Sequence, residues 1–144
     1  MLKESLAHLR FDMEDSEVND PQKGGLTIAY EIGADGCINV GIADCAMEEH
    51  YNRKLGTLIA RGRLGKKPVN TGYKPTLSEE EEGGAELVAM IISHLLQLKE
   101  KRIVSSFQKV MRGKNSVELC YRRSGNKVGK LVENSKNPSG ISLW

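Results

Sequence analysis

Arg53, Thr57 and Arg61 fall at i, i+4 and i+8 with Lys54 beside them, so on a helix they make one stripe of hydrogen-bond donors. Guanidinium groups in such a row suit phosphate oxygens, because each offers a planar fork of donors that stays charged. Arg63, Lys66 and Lys67 carry the patch into the following loop, Gly65 to Pro75, where Asn70-Thr71-Gly72-Tyr73 sets an aromatic ring among hydrogen-bonding side chains. A surface loop of that length and composition reads as a binding loop. The spacing by itself describes a plain solvated helix face better than a binding stripe.

Groups suited to catalysis are harder to assemble. A nucleophilic triad needs a Ser or Cys with a His and an orienting acid. His8, His50 and His94 fall in three predicted helices, none beside the glycines of a catalytic turn; His8 and His50 read as exposed, His94 as a core or interface residue. No HExxH, EF-hand loop or P-loop occurs, and Gly24-Gly25 and Gly83-Gly84 are too short to cradle a phosphate. Glu79 to Glu82 are consecutive, so on a helix they point around it rather than at one ion. Cys37, Cys45 and Cys120 are odd in number and lack CxxC spacing, which speaks against a disulfide framework and a zinc site and for a reducing cytoplasm. The expectation is therefore binding, with no catalytic residue, metal or cofactor. An enzyme would have to gather acid and base from distant segments, for instance His50 with Asp44 or Glu48.

The elements that must position these residues belong to one chain of 144 residues, 39% apolar and 28% charged, which suits a single α+β domain. Aromatics are only 5%, so Ile, Leu, Val and Met must supply much of the core, and a chain this small often completes its burial as a homo-oligomer. Met1 to Asp20 has no basic and apolar leader pattern, and the apolar run Leu87 to Leu98 is interrupted by Ser93, His94 and Gln97, so no membrane partner is expected. The net charge of +2 conceals a split: residues 1–98 carry ten Lys and Arg against sixteen Asp and Glu, residues 99–144 eleven against three. Such a split serves a basic tail for nucleic acid, or acidic and basic surfaces that meet between subunits.

Along the chain, Leu2, Leu6 and Leu9 space as a short helix running into an acidic linker, Asp12 to Asp20, so that residues 1–20 precede the core. Leu26, Ile28, Tyr30 and Ile32 alternate as a strand, the turn Gly33-Ala34-Asp35-Gly36 follows, and Ile38, Val40 and Ile42 complete a hairpin. A helix is predicted from Ala46 to about Arg61, with Glu48 and Glu49 in its first turn. Its face of Met47, Tyr51, Leu55, Leu58, Ile59 and Gly62 would pack on the hairpin. A second helix should start at Ser78-Glu79-Glu80-Glu81, run to about Lys101 or on to Met111, and turn Leu87, Met90, Ile91, His94, Leu95 and Leu98 inward. Residues 21–112 thus hold hairpin, basic helix, loop and long helix. Residues 113–144 read as a basic hairpin, Val117 to Tyr121 with Val128 to Val132, and a polar tail. The expected architecture is antiparallel hairpins packed on two main helices.

The stretch Asp44 to Leu64, following the strand with Asn39-Val40-Gly41-Ile42, resembles a pattern of small phage proteins that includes the anti-Thoeris sponge family. The family pattern Arg-Lys-x-Gly-x-x-Ile-Ala-x-Gly-Arg runs here from Arg53 to Arg63, and the similarity covers about residues 26–64. The resemblance implies a small β-sheet bearing that helix, assembly into oligomers, and sequestration of a cyclic nucleotide or cyclic ADP-ribose-type immune signal without cleavage, in the cytoplasm of an infected bacterium. Ligand contacts do not carry over from the family; by their own chemistry Arg53, Lys54, Arg61 and Arg63 are the candidates for a phosphate, Tyr73 for a surface on which a base stacks, and Asn70 or Thr71 for the polar edge of that base. The acidic linker and the basic region after Lys99 do not match the family pattern. A phage inhibitor that binds a host protein or nucleic acid through Lys101, Arg102, Lys109, Arg112, Lys114, Arg122 and Arg123 therefore stands as the alternative.

Overall fold

Ser5 to Met13 form a strand, β1, rather than a helix. Ala7, Leu9 and Phe11 turn to one face of it and Leu6, His8 and Arg10 to the other. The segment lies between two other strands, Lys23–Ile32 (β2) on one side and Ser116–Tyr121 (β5) on the other. Leu2, Leu6 and Leu9 satisfy a helical period, but a strand in that central place pairs its backbone on both sides, and tertiary context overrides so short a pattern.

The computed structural model describes residues 4–13, 23–50, 52–111, 116–122, 125–133 and 141–143. Most of the acidic linker and of the polar tail lies outside them. β2 and Ile38–His50 (β3) make the expected hairpin, in register from Leu26↔Asp44 to Ile32↔Ile38. β3 runs on to His50, so the helix predicted from Ala46 starts only at Arg53 and extends to Lys66 (α1). Asn52 caps it, its side-chain oxygen accepting from the Leu55 N–H at 3.0 Å. The strand Val69–Asn70 (β4) follows. The single long helix expected after Ser78 is three: Leu77–Glu82 (α2), Gly84–Gln97 (α3) and Lys101–Met111 (α4). Thr76, not Ser78, forms the capping box with Glu79. Gly83 and Gly84 break the helix at φ 53° and 67°, a region open to glycine at little cost. Lys127–Glu133 (β6) pairs with β5 as the expected second hairpin, and Ile141–Leu143 (β7) adds to its edge.

All seven strands join one antiparallel sheet in the order β4-β3-β2-β1-β5-β6-β7. One face is packed by α3 and α4: Leu9, Ile28, Val40 and Leu119 meet Leu87, Ile91, Leu95 and Phe107, all buried. Phe11 stands edge-on to Phe107 with centroids 5.0 Å apart. The inward face of α3 adds Val88 and Ile92, whereas the expected core residues Met90 and Leu98 are exposed. On the other face α1 docks through Ala60 and Leu64 against Ala29 and Ala43. Gly41 makes this approach possible, because a Cβ there would collide with the backbone of Ala60 and Leu64. The face expected to pack, Leu55, Leu58 and Ile59, is instead 52%, 64% and 37% exposed. No described helix is long and apolar enough to cross a membrane.

Candidate functional site

β4 pairs with β3 only at Asn39 and Val40, so past Val40 the outer edge of β3 has no strand partner among the described residues. A cleft of about 880 Å³ opens along that edge, walled by the C-terminal end of α1 on one side and the start of α4 on the other. Val40, Gly41 and Ile42 form the floor, and Pro68, Val69 and Val104 add apolar walls. Five cations line it, Arg63 and Lys67 from the α1 side and Lys99, Lys101 and Arg102 from the α4 side, against Asp44 and Glu100.

Local contacts hold Arg63, Arg102, Asp44 and Glu100 in place. Arg63 donates from Nη1 to the carbonyl oxygen of Ile42 at 2.6 Å and lies 3.7 Å from Asp44. Arg102 reaches the same Asp44 oxygen, Oδ1, at 3.3 Å, so one carboxylate sits between two guanidinium groups from different helices. Glu100 turns its carboxylate onto the first turn of α4 and accepts from the N–H groups of Arg102 at 2.8 Å and Ile103 at 3.3 Å. That placement meets orphan donors and suits the positive end of the helix dipole. Lys99 holds a left-handed conformation, φ 54°, unlike any other described non-glycine residue. That conformation costs roughly 1 kcal/mol, and it turns the chain from α3 into α4 beside the cleft.

The expected site residues are not gathered in one place. Arg63 lies in the cleft. Arg53 and Lys54 are exposed in the first turn of α1, roughly 15 Å away along the helix axis. Arg61 points elsewhere and pairs with Glu4 at 2.9 Å. The loop residues fasten the fold. Asn70 donates to Asp35 at 2.8 Å and accepts from the Gly72 N–H, while Thr71, 2% exposed, donates to the Ile38 carbonyl at 2.7 Å. The Asp35 carboxyl is held below its usual range by the Cys37 N–H first and by Asn70 second. Tyr73 is 5% exposed, stacks on His94 at 4.9 Å and donates its hydroxyl to Glu79 at 2.6 Å. Burial, then the hydrogen bond to Glu79, pushes its phenol well above the usual value. Its ring faces the core and leaves little open surface for a base to stack on. Of the enzyme alternative, the side chains of Glu48 and His50 lie outside the described residues.

Lys99, Lys101 and Arg102 join the cleft without having been grouped with Arg63. Their signal in the sequence is a cluster of cations straight after an apolar helix, at the start of the basic last third. Nothing local tells that this cluster faces α1 across the edge of β3. The arrangement suits an anion held by converging charge-assisted hydrogen bonds, with apolar contact along one side.

The chain matches no known protein family, curated protein or solved structure. Its cleft geometry and its sequence therefore carry the functional reading.

Proposed function

We propose that the chain is a binding protein, not a catalyst, and that it holds a phosphate-bearing small molecule of the cyclic nucleotide or ADP-ribose class in the cleft between α1 and α4. The observation that carries this reading is the convergence of Arg63 and Lys67 with Lys99, Lys101 and Arg102 on one cleft of about 880 Å³. That size falls within the range of small-molecule sites. The cleft's two carboxylates are both engaged, Asp44 by two arginines and Glu100 by backbone N–H groups, which suits holding a ligand better than attacking it. Sequestration of an immune signal by a phage-type anti-defence protein inside its host is what the resemblance over Asp44 to Leu64 adds. A homo-oligomer is part of the reading, because a small chain with few aromatics often completes its burial between subunits and α1 leaves Leu55, Leu58 and Ile59 exposed.

Calorimetric titration with cyclic ADP-ribose, a cyclic dinucleotide and ADP-ribose tests it. Stoichiometric binding of at least one, weakened by Arg102→Ala and by added salt, is expected, followed by recovery of intact ligand after heat denaturation. Recovery of a cleaved product sinks the sequestration, and no binding of any phosphate compound at low salt sinks the site. The host-inhibitor alternative draws on the same Lys101 and Arg102, and a gel-shift series over salt separates it.

A further inference from the structure

α1 exposes an apolar stripe, with Lys54 at its flank and Lys66 at its C-terminal end. Leu55, Leu58 and Ile59 are exposed at i, i+3 and i+4, Arg53, Lys54 and Lys66 are exposed on the same helix, and α1 contains no acidic residue. An apolar stripe of this kind on a helix is normally buried against something. A second α1 is a poor cover, since pairing the helix with itself would bring like charges together with no acid to offset them.

A surface of the opposite sign lies on the far side of the sheet. Between α2 and α3 runs a groove of about 330 Å³ whose walls include Glu82, Glu86, Leu87 and Met90. Beside it Leu77 is 69% and Met90 39% exposed, and Glu81 and Glu82 stand on the exposed side of α2. α1 packs on the face of Ala29 and Ala43, α3 on the face of Ile28 and Val40. The two surfaces therefore cannot meet within one chain, but they can meet between two.

We propose that copies of this chain assemble head to tail, the apolar stripe of α1 and its neighbouring lysines on one copy docking onto the acidic, apolar α2–α3 groove of the next. The inference rests on the oligomeric part of the reading above and not on the ligand, and it is tested without one. Because the two surfaces differ, each contact leaves one of each kind free at the ends, so the assembly closes as a ring or continues as a chain. Leucine and isoleucine side chains give the contact its burial, and the charges set its direction and its sensitivity to salt.

Sedimentation velocity of the full chain over concentration and salt provides the test, with circular dichroism to show that each variant is folded; all substituted positions are exposed. Wild type is expected to sediment as multiples of the 15.9 kDa chain at low salt and to dissociate as salt rises. Leu58→Glu with Ile59→Glu damages the helix face only, and Glu81→Lys with Glu82→Lys the groove only. Each double variant alone is expected to be monomeric, and a mixture of the two to form one-to-one dimers that grow no further, since each retains one intact surface. A monomeric wild type at low salt, a groove variant that still self-associates, or a mixture that stays monomeric overturns the proposal.

Discussion

Nη1 of Arg63 stands 2.6 Å from the carbonyl oxygen of Ile42, and this contact ties the end of α1 to the open edge of β3. An edge carbonyl that lacks a strand partner is thereby met by a charged donor, and the same side chain is left beside the cleft. On the proposed function, one guanidinium would therefore serve both stability and binding.

Arg63→Ala is accordingly expected to lower unfolding free energy by about 1 kcal/mol, a charged hydrogen bond discounted for the partial exposure of the side chain. It should weaken phosphate-ligand binding by at least tenfold. Arg53→Ala, at the far end of α1, should leave both unchanged. Urea denaturation and calorimetric titration of the two variants check this, and equal losses in both would mean that the cleft is not the site.

Gly41 tests the docking of α1. Gly41→Ala pushes a methyl group into the backbone of Ala60 and Leu64, neither of which can move without shifting the helix. A loss of about 2–3 kcal/mol is expected, the upper part of the overpacking range. Gly62→Ala on the same helix meets nothing within 4 Å and should stabilise by up to about 1 kcal/mol. Opposite signs in denaturant midpoints support the packing; a neutral Gly41→Ala would mean that α1 does not sit this close.

That contact also explains why the packed face of α1 differs from the one its sequence suggests. Assigning Leu55, Leu58 and Ile59 to the core assumes that the largest side chains face inward. The sheet face beneath α1 is lined by Ala29, Gly41 and Ala43, so the fit is small against small and Ala60 with Leu64 complete it. The β2–β3 hairpin was legible because its alternation and its Asp35-Gly36 turn are local. β1 was not, since its pairing with β5 joins residues about a hundred positions apart. For the same reason the cationic character of Arg63 and of Lys101 could be read separately, but their sharing of one cleft could not.

Tyr73 and Glu79 give a pH prediction. The Glu79 carboxyl lies below its usual range because the Thr76 N–H and then the Tyr73 hydroxyl favour its charged form. A depressed carboxylate adds stability that is present above its unfolded pKa and is lost as pH falls through the folded value. The raised Tyr73 phenol works in the opposite sense, its contribution being present below the unfolded value of about 10 and lost at higher pH. Tyr73→Phe should therefore flatten the stability profile at both the acid and the alkaline end while leaving ligand affinity at neutral pH unchanged. Thermal melts from pH 3 to 11 read the first effect and titration the second. A large loss of affinity would return Tyr73 to the binding site.

Asp44 offers the sharpest test of how the cleft handles charge. Its carboxylate lies 3.7 Å from Arg63 and 3.3 Å from Arg102, where an incoming phosphate would make its own contacts. Two opposing readings follow from that position. If Asp44 only holds two guanidinium groups together at the cleft, it competes with the ligand, and Asp44→Asn removes one unit of repulsion toward the ligand while keeping the shape. At 4 Å a unit charge pair is worth about 1 kcal/mol in water and about 4 at a protein surface. A cleft this open sits near the lower figure, so an increase in phosphate affinity of about fivefold is expected, larger at low salt. Stability should fall only slightly, since partly exposed ion pairs contribute about 0–1 kcal/mol. If Asp44 instead accepts a hydrogen bond from a ligand hydroxyl, or acts as a base, Asn weakens binding or abolishes turnover. Titration of wild type and Asp44→Asn with inorganic pyrophosphate and with ADP-ribose distinguishes them: tighter binding of both is the expected result. Tighter pyrophosphate with weaker ADP-ribose would make Asp44 a ligand contact, and weaker binding of both would remove the cleft's charge as the source of affinity.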